Sequence, residues 1–366
     1  MQVLFCSGDV GGTRAIIPII EKCLEKGICA SFVDNGHISK EAPRNWERIS
    51  SDKIGSEELL NNFLHKNDIK VFVFASSLKD CTALTLARLM KTCNIPVIHV
   101  LDHWTSYRSR METDGLPAFI PNYYAVMDSI AYESAVENGI GEDILMITGQ
   151  PALADLSVEF SQWQVRNDRS ILLNSYGFDP GKKLISFISE PVENDQGGSP
   201  DSINYRGYTE KVVLRHFCKA LQSFANKIQI AILPHPREDE GTLSELWKEY
   251  RGSLYGKTLN LPRGRYGLFM SDAVAGMASS LMYEAWLLGK PVISIQPGLR
   301  LQSLRMLQSR PDVFFIDSYS EISEQIKKWV TGIINGTNYY TKPDLAIHEK
   351  APEIIYDLIR KYIDLD

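Results

Sequence analysis

Two stretches in the second half of the chain carry the residue types best suited to chemistry on a phosphate. The apolar run Ile228–Leu233 ends on Pro234-His235-Pro236. The flanking prolines restrict φ and remove donors, which fixes the imidazole at a strand end. A ring held there can donate a hydrogen bond to a leaving phosphate, and such a donor is worth roughly 10²–10³ in rate. A core histidine is the alternative. Further on, residues 276–295 read as a polar turn, a helix ending at Gly289 and a buried strand. A helix start offers unpaired N–H groups and the positive end of a dipole, both of which favour phosphate. Pro236, Ala278, Ser279 and Ser280 are therefore expected to line a nucleotide phosphate site. Glu284 lies in the same helix, where it would repel phosphate. It is expected to hold paired ribose hydroxyls, with a surface or capping role as the alternative.

The first half has two loops of chemical interest. Ser7-Gly-Asp-Val-Gly-Gly-Thr-Arg14 joins a strand to a helix, and Gly11 and Gly12 permit tight turning and close approach to a ligand. The spacing is not that of a dinucleotide fingerprint, so a plain tight turn is the competing reading. Asp9 could act as a general base or as a helix cap. Asp102-His103-Trp104 follows another apolar run. An Asp and a His together can accept and hold a proton. The nearby Arg108 and Arg110, and Arg14 in the glycine loop, could hold an anionic group or acceptor. Alternatively Asp102 caps a helix and His103 packs in a groove.

These loops need a scaffold that presents strand ends on one side. Apolar runs at residues 3–6, 29–33, 71–74, 97–101, 125–127 and 145–148 alternate with helical patterns, which predicts βαβ units and a parallel sheet. The third run is expected to end at Ala75-Ser76-Ser77. The pattern breaks after residues 149–155, passes through a polar helix-like segment at 157–176, and restarts at 183–189. Residues 191–207 read as a long loop that orders only with ligand. Further strands are expected at 228–233, 273–275, 292–295 and 313–316, and a terminal helix at 354–363. Ligands in such sheets bind at the carboxyl edge.

Bulk properties narrow the function. At 366 residues the chain suits two domains. A net charge of -6 supplies no basic field for nucleic acid. No run approaches the ~20 apolar residues a membrane span requires. No basic amphipathic helix stands out, so membrane contact is expected to be peripheral at most, for a lipid-linked acceptor. The first residues read directly as a strand, so no secretion signal is expected. The six cysteines form no CxxC pair and read as reduced thiols of a cytoplasmic protein, without metal-ligand spacing.

With these motifs the chain resembles the GT-B glycosyltransferase superfamily, including its epimerase relatives. The glycine loop resembles that superfamily's N-terminal loop, and Thr148-Gly-Gln-Pro151 resembles the end of its N-terminal domain, with Gln150 where relatives commonly carry Asn. The UDP-N-acetylglucosamine 2-epimerases resemble Ser-Gly-Gly-x-x-Glu-Glu at the phosphate helix. Here Ala278-Ser-Ser-Leu-Met-Tyr-Glu284 has no glycine pair and a single Glu, which points away from them. The His-Pro and Ser-Ser pair is more similar to sialyltransferases, polysialyltransferases and teichoic-acid polymerases, whose His and serines contact donor phosphate.

The resemblance implies an α/β protein of two Rossmann-like domains facing across a cleft. Residues 1–155 would bind the acceptor and 156–348 the donor, with 349–366 packing back on the first domain. It further implies a transferase for surface polysaccharide or glycoconjugate synthesis. Such an enzyme would move a sugar from a CMP- or CDP-linked donor, or a UDP-linked one, to a glycan, lipid or protein. Asp9 or Asp102 would be its base, and it would use no metal or cofactor beyond the co-substrate. The alternatives are a non-hydrolysing UDP-sugar 2-epimerase and a non-catalytic nucleotide-sugar binding protein.

Overall fold

The computed structural model describes residues 2–76, 81–197, 199–337, 343 and 345–364. The expected strand end at Ser77 lies outside them, as do Gly198 of the expected loop and residues 365–366. The chain divides into two compact units, Met1–Leu156 with Leu345–Asp366, and Ser157–Asp344.

The first unit is built on seven parallel strands: β1 (Val3–Cys6), β2 (Ala30–Asp34), β3 (Glu47–Ser50), β4 (Val71–Phe74), β5 (Val97–Val100), β6 (Tyr123–Val126) and β7 (Leu145–Ile147). Their spatial order is β3-β2-β1-β4-β5-β6-β7. β1, β4 and β5 are buried along their whole length, which is why they read as unbroken apolar runs. β3, Glu-Arg-Ile-Ser, lies at the sheet edge, buries only Ile49 and carries no such run.

The helix Val10–Glu25 lays Ile16, Ile19, Ile20 and Cys23 on this sheet. The returning helix Ala351–Ile363 adds Ile355 and Ile359 to the same core. Each such fully buried aliphatic side chain contributes about 1.5–3 kcal/mol. The return is seated at Gly149, whose φ is +85° and where a Cβ would stand 2.2 Å from the Ile347 carbonyl oxygen. Beside it the Gln150 N–H donates to Nδ1 of the buried His348 at 3.0 Å.

The second unit carries six parallel strands: β8 (Lys183–Ile188), β9 (Ile228–Leu233), β10 (Gly256–Thr258), β11 (Ala273–Gly276), β12 (Val292–Ile295) and β13 (Phe314–Ile316). The order is β10-β9-β8-β11-β12-β13. Phe187, Phe217, Ile230, Ile293 and Trp329 form the centre of its core. The polar bridge expected at 157–176 is two helices, Leu156–Arg166 and Arg169–Ser175, the second capped by Asp168.

The segment expected to be one long loop includes a short helix and is held by side-chain hydrogen bonds. It contains the helix Val192–Gln196. The buried Gln196 side chain accepts from the Arg206 N–H at 3.0 Å, and Tyr208 donates to Gln296 at 3.0 Å.

Among the described residues no helix is long and apolar enough to cross a membrane. The two sheets with their covering helices give the two-domain α/β architecture of the GT-B class.

Candidate functional site

In the first unit the carboxyl ends of β1, β4 and β5 bring together the glycine loop, Ser76 and Asp102. Asp9 is the N-cap of the helix Val10–Glu25, and its Oδ1 accepts the Gly12 N–H at 2.8 Å. The glycines leave room for side chains rather than only for a turn. A Cβ at Gly11 would stand 2.3 Å from Asp102 Oδ2, and one at Gly12 would stand 2.4 Å from Ser7 Oγ.

Asp102 sits against Arg110, with 2.5 Å between Nη1 and Oδ1 and side chains only 9% and 7% exposed. Burial raises the Asp102 carboxyl above its ordinary value, and the Arg110 charge works against that rise. Arg110 in turn donates to the Ser76 and Thr105 carbonyls, and Gln150 Nε2 donates to the Asp102 carbonyl at 2.7 Å.

His99 is sandwiched between Phe74 and Tyr124, with ring centroids 4.4 and 4.6 Å away. Ser76 Oγ donates to the Arg110 carbonyl, so it receives its second bond, at 3.0 Å, from His99 Nε2–H. The imidazole is therefore neutral with its proton on Nε2, in keeping with a burial that pushes it well down. His103 is pushed down to about 4 by burial and by the Arg110 charge.

Arg108 stands away from this cluster, exposed and paired with Glu112 at 2.8 Å. Arg14 is exposed on the first helix. The arginine that joins Asp102 is thus Arg110, two residues beyond Arg108. Ser76 and His99 carry no motif and Gln150 belongs to the Thr148-Gly-Gln-Pro151 stretch, but each follows or sits in a strand that ends on this edge.

The second unit gathers the ends of three adjacent strands, β9, β8 and β11. Ile188 pairs with Leu233 in register, so residues two beyond the strand ends, Glu190, His235 and Ala278, stand on one edge. His235 Nδ1 accepts the Arg237 N–H at 3.1 Å, which places the ring proton on Nε2. Burial and the Arg237 charge lower the imidazole, against the pull of Asp195, so the ring is a neutral Nε2–H donor at pH 7. The His235 backbone N–H donates to Glu238, whose other oxygen accepts from Ser189 at 2.7 Å. Pro236 is exposed beside it.

Ser279 is the N-cap of the helix Ser280–Leu287 and accepts the Leu281 N–H at 3.3 Å. The Ala278 N–H donates at 2.6 Å to Glu190 Oε1. The only carboxylate expected at this helix, Glu284, points instead to Arg265, which donates to it at 2.6 Å and to Glu159 at 2.8 Å. Sequence reasoning passed over Glu190. Its signal was positional, an acid just past a strand whose neighbours end in the two recognised motifs. Among the described residues no group of three or more His, Cys, Asp or Glu side chains is placed to hold a metal ion.

This architecture defines a class first: two units of parallel α/β structure of the GT-B type. Within it, solved structures of UDP-GlcNAc 2-epimerases are similar over essentially the whole chain. The enzyme from Neisseria meningitidis, bound to UDP-GlcNAc, matches with a TM-score of 0.66 at 12% identity, covering 99% of this chain and 100% of that one. The enzyme from Methanocaldococcus jannaschii matches at 0.66 and 15%, covering 98% and 100%. An Anabaena protein in complex with UDP matches at 0.59 and 12%, covering 99% and 95%.

No protein-family model matches the chain, and no curated protein matches its sequence significantly. At these identities the likeness defines the fold. It corrects the expectation of a glycosyltransferase with sialyltransferase-like motifs, because the named epimerases share the architecture from end to end. The two serines that favoured the transferase reading occupy a helix start, where Ser279 serves as a cap whatever the ligand.

Proposed function

We propose that this chain is a nucleotide-sugar enzyme of the non-hydrolysing UDP-sugar 2-epimerase type. The observation that carries the reading is His235. It is fixed on the carboxyl edge of the second sheet as a neutral Nε2–H donor, in a fold that matches UDP-GlcNAc 2-epimerases along nearly its full length.

Inverting the configuration at C2 of the sugar requires a proton to leave C2 on one face and another to arrive on the other. The C2–H bond is weakly acidic, so its electron pair would form a C1=C2 double bond as the nucleotide diphosphate leaves C1; a proton would then add to C2 from the opposite face and the diphosphate would return to C1. The chain's groups suit those demands. His235 Nε2–H would donate to the departing phosphate, where charge develops. Asp102, its carboxyl raised by burial and held by Arg110, is suited to exchanging a proton. His103, held neutral, could accept one. Glu284 with its Arg265 partner is assigned to the ribose side and Arg14 to an anionic group, while Arg108, exposed and paired with Glu112, is given no part. The proposed reaction uses no metal, no cofactor and no acceptor.

Incubation with UDP-GlcNAc alone in D2O, followed by proton NMR, tests it. Appearance of the C2 epimer with deuterium at C2 and no free sugar is expected. A protein that binds UDP-GlcNAc tightly yet neither exchanges the C2 proton nor forms the epimer would rule the reaction out and leave a binding role.

A further inference from the structure

The helix start that invites a phosphate is already filled by the protein itself. Glu190 is 8% exposed. Its Oε1 accepts the Ala278 N–H at 2.6 Å, and its Oε2 lies 3.2 Å from Arg206 Nη1. The Ser279 N–H also helps to hold the carboxylate charged, against the burial that pushes it up. Register explains the contact. β8 and β11 are neighbours, and Glu190 and Ala278 each lie two residues beyond the last strand residue. His235 stands at the same level on the other side of Glu190.

Arg206 does not depend on Glu190 for its place. Its Nη2 reaches Asp195 at 3.2 Å, Asp195 is gripped by both guanidinium nitrogens of Arg237, and its backbone N–H is held by Gln196. The edge therefore holds Glu190, Asp195 and Glu238 against Arg206 and Arg237. An entering diphosphate would meet an excess of carboxylate unless one of them leaves. Glu190 is the one whose departure frees both an N–H donor at a helix start and a guanidinium face.

We propose that Glu190 is an internal stand-in for substrate phosphate: it occupies the helix start in the empty protein, and the diphosphate of a nucleotide sugar displaces it and takes over Arg206. The inference rests on the nucleotide-sugar reading above and adds a built-in threshold to it. Binding then carries the cost of opening, so the apparent affinity is reduced by the fraction of molecules in which Glu190 has already moved. Removing the carboxylate removes that cost.

Titration calorimetry with UDP-GlcNAc on wild type, Glu190→Gln and Glu190→Ala tests this, with Glu193→Gln as an exposed control on the same segment. Folding is checked by circular dichroism and thermal melting. About a tenfold fall in Kd is expected for Glu190→Ala, a smaller fall for Glu190→Gln, and none for the control. Hydrogen exchange supplies a second readout: amides 278–279 should exchange faster in unliganded Glu190→Ala than in wild type and regain protection with UDP-GlcNAc.

Equal or weaker binding by a folded Glu190→Ala, or unchanged exchange at those amides, overturns the displacement. If wild type binds UDP-GlcNAc and Glu190→Ala gains nothing, the nucleotide-sugar reading survives and only the displacement falls. If no form binds UDP-GlcNAc but Glu190→Ala binds inorganic pyrophosphate more tightly than wild type, the nucleotide-sugar reading falls and the displacement stands. Binding of neither by any form sinks both.

Discussion

The two sheet edges solve the burial of charge in opposite ways. On the first unit, Asp102 and Arg110 are almost wholly enclosed, flanked by a stack of Phe74, His99 and Tyr124 and by the neutral imidazole of His103. On the second, Glu190, Arg206, Asp195 and Arg237 form a chain of pairs that runs from the interior to exposed Arg237. An enclosed pair cannot exchange partners without leaving a bare charge behind, whereas a chain of pairs can re-partition when an anion arrives. The first arrangement suits a fixed carboxyl that exchanges a proton, and the second suits a site that trades one anion for another.

The largest effect that would test this contrast is loss of the enclosed guanidinium. Arg110→Ala leaves Asp102 buried and unpaired, and a cost of about 3–5 kcal/mol is expected in urea denaturation. Arg237→Ala, at the exposed end of the other chain, should cost within about 1 kcal/mol, as surface pairs do. Equal losses at the two sites would erase the distinction.

The next effect concerns chemistry. If the proposed epimerisation holds, His235→Ala should lower its rate by roughly 10²–10³ while the fold persists, because the role proposed for the ring is that of a donor to developing charge. A loss confined to KM would move His235 from the departing phosphate to ground-state binding.

A smaller effect is a pH signature. His103 is pushed down to about 4 in the folded protein, while the unfolded chain takes up that proton near pH 6.5. Its contribution to stability is complete above about pH 6.5 and declines as the pH falls toward the folded value. The stability of wild type relative to His103→Gln should therefore shrink between pH 7 and pH 5. A constant difference would mean that the folded ring titrates as the unfolded one does. The smallest expected effect is at the helix cap: Asp9→Ala should cost about 1 kcal/mol, the usual value of a lost N-cap. A loss of catalysis far beyond that stability change would return Asp9 to the role of a base.

How much of this was legible in the sequence follows from what each element buries. β1, β4, β5, β8 and β9 are covered on both faces, so their apolar runs announce them. β3 and β10 lie at sheet edges, and Glu-Arg-Ile-Ser and Gly-Lys-Thr look like loop. His235 was readable because its two prolines are local. The pairing of Glu190 with Ala278 joins residues 88 apart, and only the strand order brings them together. The choice of Arg110 over Arg108 beside Asp102 depends on the path of the loop at residues 104–111, which no periodicity encodes. The transferase reading leaned on two serines, and a serine at a helix start answers a capping demand that is blind to which nucleotide binds.

The seat at Gly149 also sets an order of events in synthesis. Residues 345–364 complete the first unit, yet the whole of Ser157–Asp344 precedes them in the chain. The second unit is continuous and can fold as it emerges, while the first must wait with the apolar face of its Val10–Glu25 helix uncovered. The part of the protein made earliest is thus the part finished last, and a ribosome that stalls within residues 157–344 leaves an incomplete core rather than a finished half.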